Sequence, residues 1–95
     1  MTLPTFQAFE TEMRAAGFPD VAKRDYPTAT AVPDHTHEFA VKALVVRGEM
    51  WLTVGGDTRH LREGDSFELD HEVVHAERYG SEGATYWAAR RYKAG

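Results

Sequence analysis

The chain has 95 residues, of which 42% are hydrophobic and 27% are charged. This length predicts a single domain with one core, and the balance of apolar and charged residues argues against disorder. The 15 acidic and 11 basic residues give a formal net charge of −4. Because the basic residues are also dispersed, nucleic acid is excluded as a predicted partner. The absence of cysteine excludes disulfides and thiolate metal sites, which leaves histidine and carboxylate as metal ligands.

The chain shows no targeting or membrane signal. Its apolar runs are too short to cross a bilayer, and the N-terminus lacks a basic segment followed by an apolar stretch. We therefore expect no membrane partner and a cytoplasmic location. A domain this small buries a limited fraction of its surface, so support from a metal ion or from a second subunit, in a homodimer, is expected.

The first predicted element is an amphipathic helix over Thr5 to Ala16. Phe6, Phe9 and Met13 recur at helical spacing, and Gly17 follows as a stop signal. An aromatic stripe of this kind is typical of core packing.

From Val21 onward, short β-type runs alternate with turn residues. The predicted strands are Thr28 to Val32, Phe39 to Val46, Met50 to Val54, Thr58 to Leu61, Ser66 to Leu69, Val73 to Tyr79 and Ala84 to Tyr92. Gly55-Gly56-Asp57 predicts a hairpin, and Gly48-Glu49 and Glu63-Gly64-Asp65 predict two further chain reversals. Regularly spaced short strands favour an all-β sandwich or barrel, and the lack of a second long helix excludes a parallel α/β sheet.

Three histidines form the candidate metal site. His35-Thr36-His37 opens the longest predicted strand, where residues two apart share a face, and His75 lies on a late strand. Neutral imidazole is a common ligand of zinc, iron, copper and nickel, and three imidazoles leave coordination positions open. We therefore predict His35, His37 and His75 as the ligands of one divalent metal ion. His60 and His71 are interpreted as hydrogen-bonded structural histidines.

These motifs resemble those of the cupin superfamily. The family's first motif is a His-x-His pair followed by Glu and then Gly, and it is matched by His35, His37 and Gly48. Its second motif runs Gly, then Pro-x-Gly, then His, and Gly64 and His75 stand at the right separation. The motifs occur in the family's order.

The resemblance spans Thr28 to Tyr92 and implies an all-β fold. The expected architecture is a double-stranded β-helix, a jelly-roll-like cupin barrel, with a short N-terminal α-helix. Residues 1–20 would form the helix and its lead-in, and residues 21–95 would form the barrel, within one domain overall.

The sequence departs from the cupin pattern at three places. Val41 stands where the family has its glutamate ligand, residues 70–72 replace the Pro-x-Gly turn, and Tyr79 replaces a frequent Asn. The site therefore resembles the three-histidine variant of some cupin dioxygenases. Three neutral imidazoles leave a dication uncompensated, which favours an acidic or chelating substrate.

Glu77 is the candidate catalytic residue. It lies two residues beyond His75, on the same face of a regular strand, and is predicted as a fourth ligand or a general base. The alternative interpretation is a solvated charge or a partner for Arg78 or Arg90. Four further aromatic residues are interpreted as core or dimer-face residues, with room for one of them at the mouth of the barrel: Trp51, Tyr86, Trp87 and Tyr92.

Two functions remain open at the level of sequence. The first is a metal-dependent enzyme holding Fe, Mn, Ni or Zn, either an oxygenase or an isomerase/lyase, that acts on a small oxygenated or acidic molecule. The second is a ligand-binding or sensory barrel without turnover, similar to the effector domains of some transcription regulators. Fold resemblance does not choose between them.

Overall fold

The structure is a computed structural model and describes residues 2–92. It begins with helix α1 (Phe6–Ala15), which Thr5 caps by accepting a hydrogen bond from the Ala8 backbone N–H at 3.1 Å. The buried face of the helix carries Phe9 and Met13. Their apolar surface drives the helix onto the outside of the sheet, where both residues pack with Ala89. The predicted helix is confirmed, with its first predicted residue serving as the cap.

Six strands form one antiparallel sheet. Their bounds are β1 (Asp20–Tyr26), β2 (Ala31–His35), β3 (Phe39–Val54), β4 (Asp57–Arg62), β5 (Ser66–Leu69) and β6 (His75–Tyr92). The main order is β1-β6-β3-β4, with β2 also paired to β6 and β5 also paired to β3. Strand β1 was not predicted, because three consecutive charged residues, 23–25, obscure its alternation of exposed and half-buried positions.

The two long strands β3 and β6 pair along most of their lengths and bend together to close the barrel. The prediction of a chain reversal at Gly48-Glu49 was wrong, because β3 continues through this point with a shift in its pairing register. Gly48 adopts φ +73° there, opposite Gly83 and Ala84. The extra residues of such a bulge bend a strand without ending it. The predicted strands Val73 to Tyr79 and Ala84 to Tyr92 likewise form one continuous strand, β6, which pairs with β3 through the same register shifts.

The barrel interior is filled by apolar residues from opposite walls, with Val45, Met50 and Leu61 almost completely buried. The predicted all-β barrel with a short N-terminal helix is confirmed. The proposed boundary between residues 1–20 and 21–95 stays a prediction, and residues 93–95 of that barrel segment lie outside the described residues. None of the helices in the described part of the chain has the length and apolar character needed to cross a membrane.

Candidate metal centre

The three predicted metal ligands lie at or next to the ends of strands. His35 is the last residue of β2, His37 lies in the short connection to β3, and His75 is the first residue of β6. The expectation that His35 and His37 open the longest strand was wrong, since β3 begins only at Phe39. His35 and His75 are instead joined by antiparallel pairing of β2 with β6, in which they are register partners. This pairing places the two rings side by side.

The structure brings the three imidazoles together at one end of the barrel. The ring centroids are 4.2 Å apart for His35 and His75, 4.7 Å for His35 and His37, and 5.1 Å for His37 and His75. One ring nitrogen from each histidine lies within 4.8 Å of the other two. These donor atoms surround a single point, as the ligands of one metal ion do.

Backbone carbonyls fix the orientation of two of the rings. Nδ1 of His35 lies 2.8 Å from the carbonyl oxygen of Pro33, and Nδ1 of His75 lies 2.9 Å from that of Val73. A carbonyl accepts only, so each Nδ1 must carry the proton and donate it. In the neutral imidazole that binds a metal ion, the free lone pair is then on Nε2. Histidine ligands of protein-bound metals are usually held in this way by an outer partner.

The third ring, His37, is kept neutral by its surroundings. It stacks on Phe39 at a centroid distance of 4.5 Å and an interplanar angle of 11°. Burial lowers the pKa of His37 from 6.5 to about 4, and its neighbouring histidines and two arginines act in the same direction. The ring is therefore uncharged at pH 7, and its lone pair is available to a metal ion.

The histidines line a cavity of about 100 Å³ that extends into the barrel. Val41 also lines this cavity, but its side chain has no donor atom. Glu77 is buried, with its Oε2 3.9 Å from Nε2 of His35, so it approaches the cluster from one side. The alternative in which Glu77 is a solvated charge does not match this burial. No ion pair joins it to Arg78 or Arg90 among the described residues.

The remaining histidines lie outside the cluster. His60 stacks on Trp51 at 4.6 Å and is hydrogen-bonded to the Glu49 carboxylate through Nε2. His71 contacts the Asp70 carboxylate through Nδ1 at 3.0 Å.

Trp51, which stacks on His60, is one of the four aromatic residues singled out in the sequence. The other three lie in different environments. Trp87 packs against the helix, Tyr92 is exposed, and Tyr86 lines the cavity. Sequence reasoning missed the role of Arg24 and Arg90, which also line the cavity. The position of Arg90 could have been predicted from the sequence, because strand alternation places it on the same face as Ala88 and Tyr86 near the end of β6.

A family model of the cupin domain, Cupin_2, matches residues 24–88. KdgF from a Halomonas species superimposes with a TM-score of 0.69 at 19% identity, over 78% of this chain and 68% of that one. The DMSP lyase DddQ from Ruegeria pomeroyi gives a TM-score of 0.69 at 21% identity, over 75% of this chain and 36% of the lyase. The cupin domain of an XRE family transcriptional regulator from Enterobacter cloacae gives 0.65 at 18% identity, over 79% and 82% of the two chains. No curated protein sequence matches the chain.

Proposed function

We propose that this chain, which belongs to the Cupin_2 family of cupin domains, holds one divalent metal ion on His35, His37 and His75 and binds a small oxygenated or acidic molecule at the open positions. The observation that carries the proposal is the orientation of the rings. Two of them are held through Nδ1 by backbone carbonyls, the third is neutral, and one ring nitrogen of each lies within 4.8 Å of the other two. An all-nitrogen set of this type suits Fe, Mn, Ni or Zn.

A bound dication would supply Lewis acidity, which polarises an oxygen ligand. The chain's own contribution lies in the cavity, whose wall places apolar side chains such as Val41 and Phe67 beside the histidine cluster. Glu77 is the buried carboxylate beside His35, and we assign to it either the fourth ligand position or proton transfer to and from the bound molecule. Such proton transfer belongs to isomerase or lyase chemistry, while an oxygenase would use the open metal positions.

A sensory role is the second candidate function. The similarity to the regulator's cupin domain, 82% of which the chain covers, supports this role. A binding barrel needs only the cavity and the histidine cluster. Turnover of a small acid by the metal-loaded protein separates the two functions. The homodimer and the cytoplasmic location stay predictions.

The metal site is tested by elemental analysis of protein expressed without a histidine tag. We expect about one ion per chain in the wild-type protein and close to none in His75→Ala, because two imidazoles alone hold a divalent ion weakly. His60→Ala is the matched control, since this histidine is bound to Glu49 outside the cluster. Circular dichroism verifies that both variants keep their strands. An unchanged metal content in His75→Ala would contradict the proposal.

A further inference from the structure

Two arginine side chains line the same cavity as the three histidines. Arg24 comes from β1 and Arg90 from the end of β6. Strand alternation explains this placement, because Arg24 shares a strand face with Tyr26, and Arg90 shares one with Ala88 and Tyr86, which also line the cavity. Strands β1 and β6 therefore each place a guanidinium group at the wall of the same cavity.

Neither guanidinium group has an anionic partner within residues 2–92. The guanidinium carbon of Arg90 lies 4.4 Å from the centroid of the Phe39 ring, a cation–π contact that involves no acidic side chain. Other arginines of the chain are engaged, such as Arg14 with Glu10 and Arg47 with Thr85. A half-buried cation without a partner is unfavourable, so the pair of arginines favours an anion that residues 2–92 do not provide.

The residue paired with Arg90 on the adjacent strand explains why the anion is missing. Arg90 is the register partner of Val41 on β3, and Val41 stands where the cupin pattern has its carboxylate ligand. Both residues line the cavity. The lining thus holds two guanidinium groups and one carboxylate, Glu77. Arginine side chains therefore outnumber acidic ones in the lining, before any metal ion adds further positive charge.

We propose that the ligand of this cavity is a short dicarboxylic acid, or a keto or hydroxy acid of similar size, whose one end binds the metal and whose other carboxylate is held by Arg24 and Arg90. This inference rests on the proposed metal site. A guanidinium group presents parallel N–H donors that match the two oxygens of a carboxylate. The volume of about 100 Å³ admits a molecule of only a few carbon atoms. The second carboxylate of the ligand then supplies the negative charge that is absent because position 41 holds valine instead of glutamate.

The test is calorimetric titration of zinc-loaded protein with malonate, a dicarboxylate, and with malonamide, its uncharged analogue. We expect malonate to bind and malonamide not to bind. Arg24→Gln and Arg90→Gln should each weaken malonate binding roughly tenfold or more, the effect of losing a charge-assisted contact, while keeping the zinc content. Arg91→Gln is the matched control, because its guanidinium lies over Phe18, outside the cavity, and we expect no change.

Two further variants keep the inference testable if a glutamine variant does not fold. Arg90→Lys retains the charge and stem but loses the planar fork, so malonate should bind more weakly than to the wild-type protein. Val41→Glu places a carboxylate beside Arg90 and should weaken malonate while retaining zinc. Malonate binding that is independent of both arginines, or equal binding of malonamide, overturns this inference. Absence of zinc from the wild-type protein overturns the proposed function instead.

Discussion

The hydroxyl group of Tyr79 lies inside the barrel near Tyr86, but it makes no hydrogen bond of good geometry among residues 2–92. The residue is 1% exposed, and its ring stacks on Tyr26 at a centroid distance of 4.3 Å and an interplanar angle of 4°. Burial raises the pKa of Tyr79 far above its ordinary value, so the phenol stays neutral. The ring contributes packing, whereas the unpaired oxygen contributes a desolvation cost.

We therefore predict that Tyr79→Phe raises the free energy of unfolding by about 1 kcal/mol, because the substitution keeps the ring and removes an unsatisfied polar atom. Urea denaturation followed by circular dichroism measures the change. Tyr92→Phe is the control, since its hydroxyl is half exposed and donates to Asp20 at 3.2 Å. Its stability should stay the same or fall slightly. A marked loss of stability in Tyr79→Phe would show that a bound water satisfies the hydroxyl.

At the scale of elements, the bend of β3 against β6 depends on glycine. A Cβ atom on Gly48 would lie 2.2 Å from the carbonyl oxygen of Gly83, and Gly48 already has φ +73°. A Cβ on Gly83 would in turn lie 2.2 Å from the carbonyl oxygen of Tyr26. The backbones approach so closely here that no other residue fits without displacing a strand. The bend sets the direction in which the second half of each strand continues.

We predict that Gly48→Ala destabilises the protein by about 3 kcal/mol or more, since strain from positive φ adds to a clash with rigid backbone. Gly56→Ala is matched in conformation, with φ +88°, but a Cβ there meets nothing within 4 Å. Its cost should be about 1 kcal/mol, from the backbone conformation alone. Urea denaturation of the two variants gives the difference. Equal losses in both variants would mean that the close approach at Gly48 relaxes easily.

For the whole molecule, the histidine cluster connects segments that are distant in sequence. His35 ends β2 and His37 follows it, while His75 begins β6 after 37 intervening residues. A metal ion held by all three would tie these segments together in the folded state only. For a small domain with a limited core, we expect such a tie to contribute substantially to the free energy of unfolding.

We predict that chelation lowers the melting temperature and that zinc restores it. With free zinc at 100 times its Kd, linkage gives about 2.7 kcal/mol, which for a domain of this size corresponds to roughly 10–20 °C. Differential scanning calorimetry with EDTA, followed by graded zinc, measures the shift. His75→Ala should melt at the same temperature with and without zinc. A wild-type protein that does not respond to zinc would argue against a metal shared by the three histidines.

The sequence by itself determined the fold class and the identity of the histidine cluster. Regularly spaced short strands predicted a sandwich or barrel, and the resemblance to the cupin motifs implied the barrel. The spacing of His35, His37 and His75 indicated one site, because motif order and residue chemistry are local properties of a chain. The helix was equally readable, since its cap and apolar stripe depend on neighbours within a few residues.

Tertiary structure alone decided how the site is completed. The proton positions on His35 and His75 depend on the carbonyl oxygens of Pro33 and Val73, and the pairing of Arg90 with Val41 depends on the register between β3 and β6. The continuity of β3 through Gly48 depends on the same register. Pairings of this kind join residues far apart in the chain and are fixed by packing of the whole barrel. They therefore cannot be predicted from a local sequence pattern. Arg24 and Arg90 accordingly became a pair only when β1 and β6 were placed side by side.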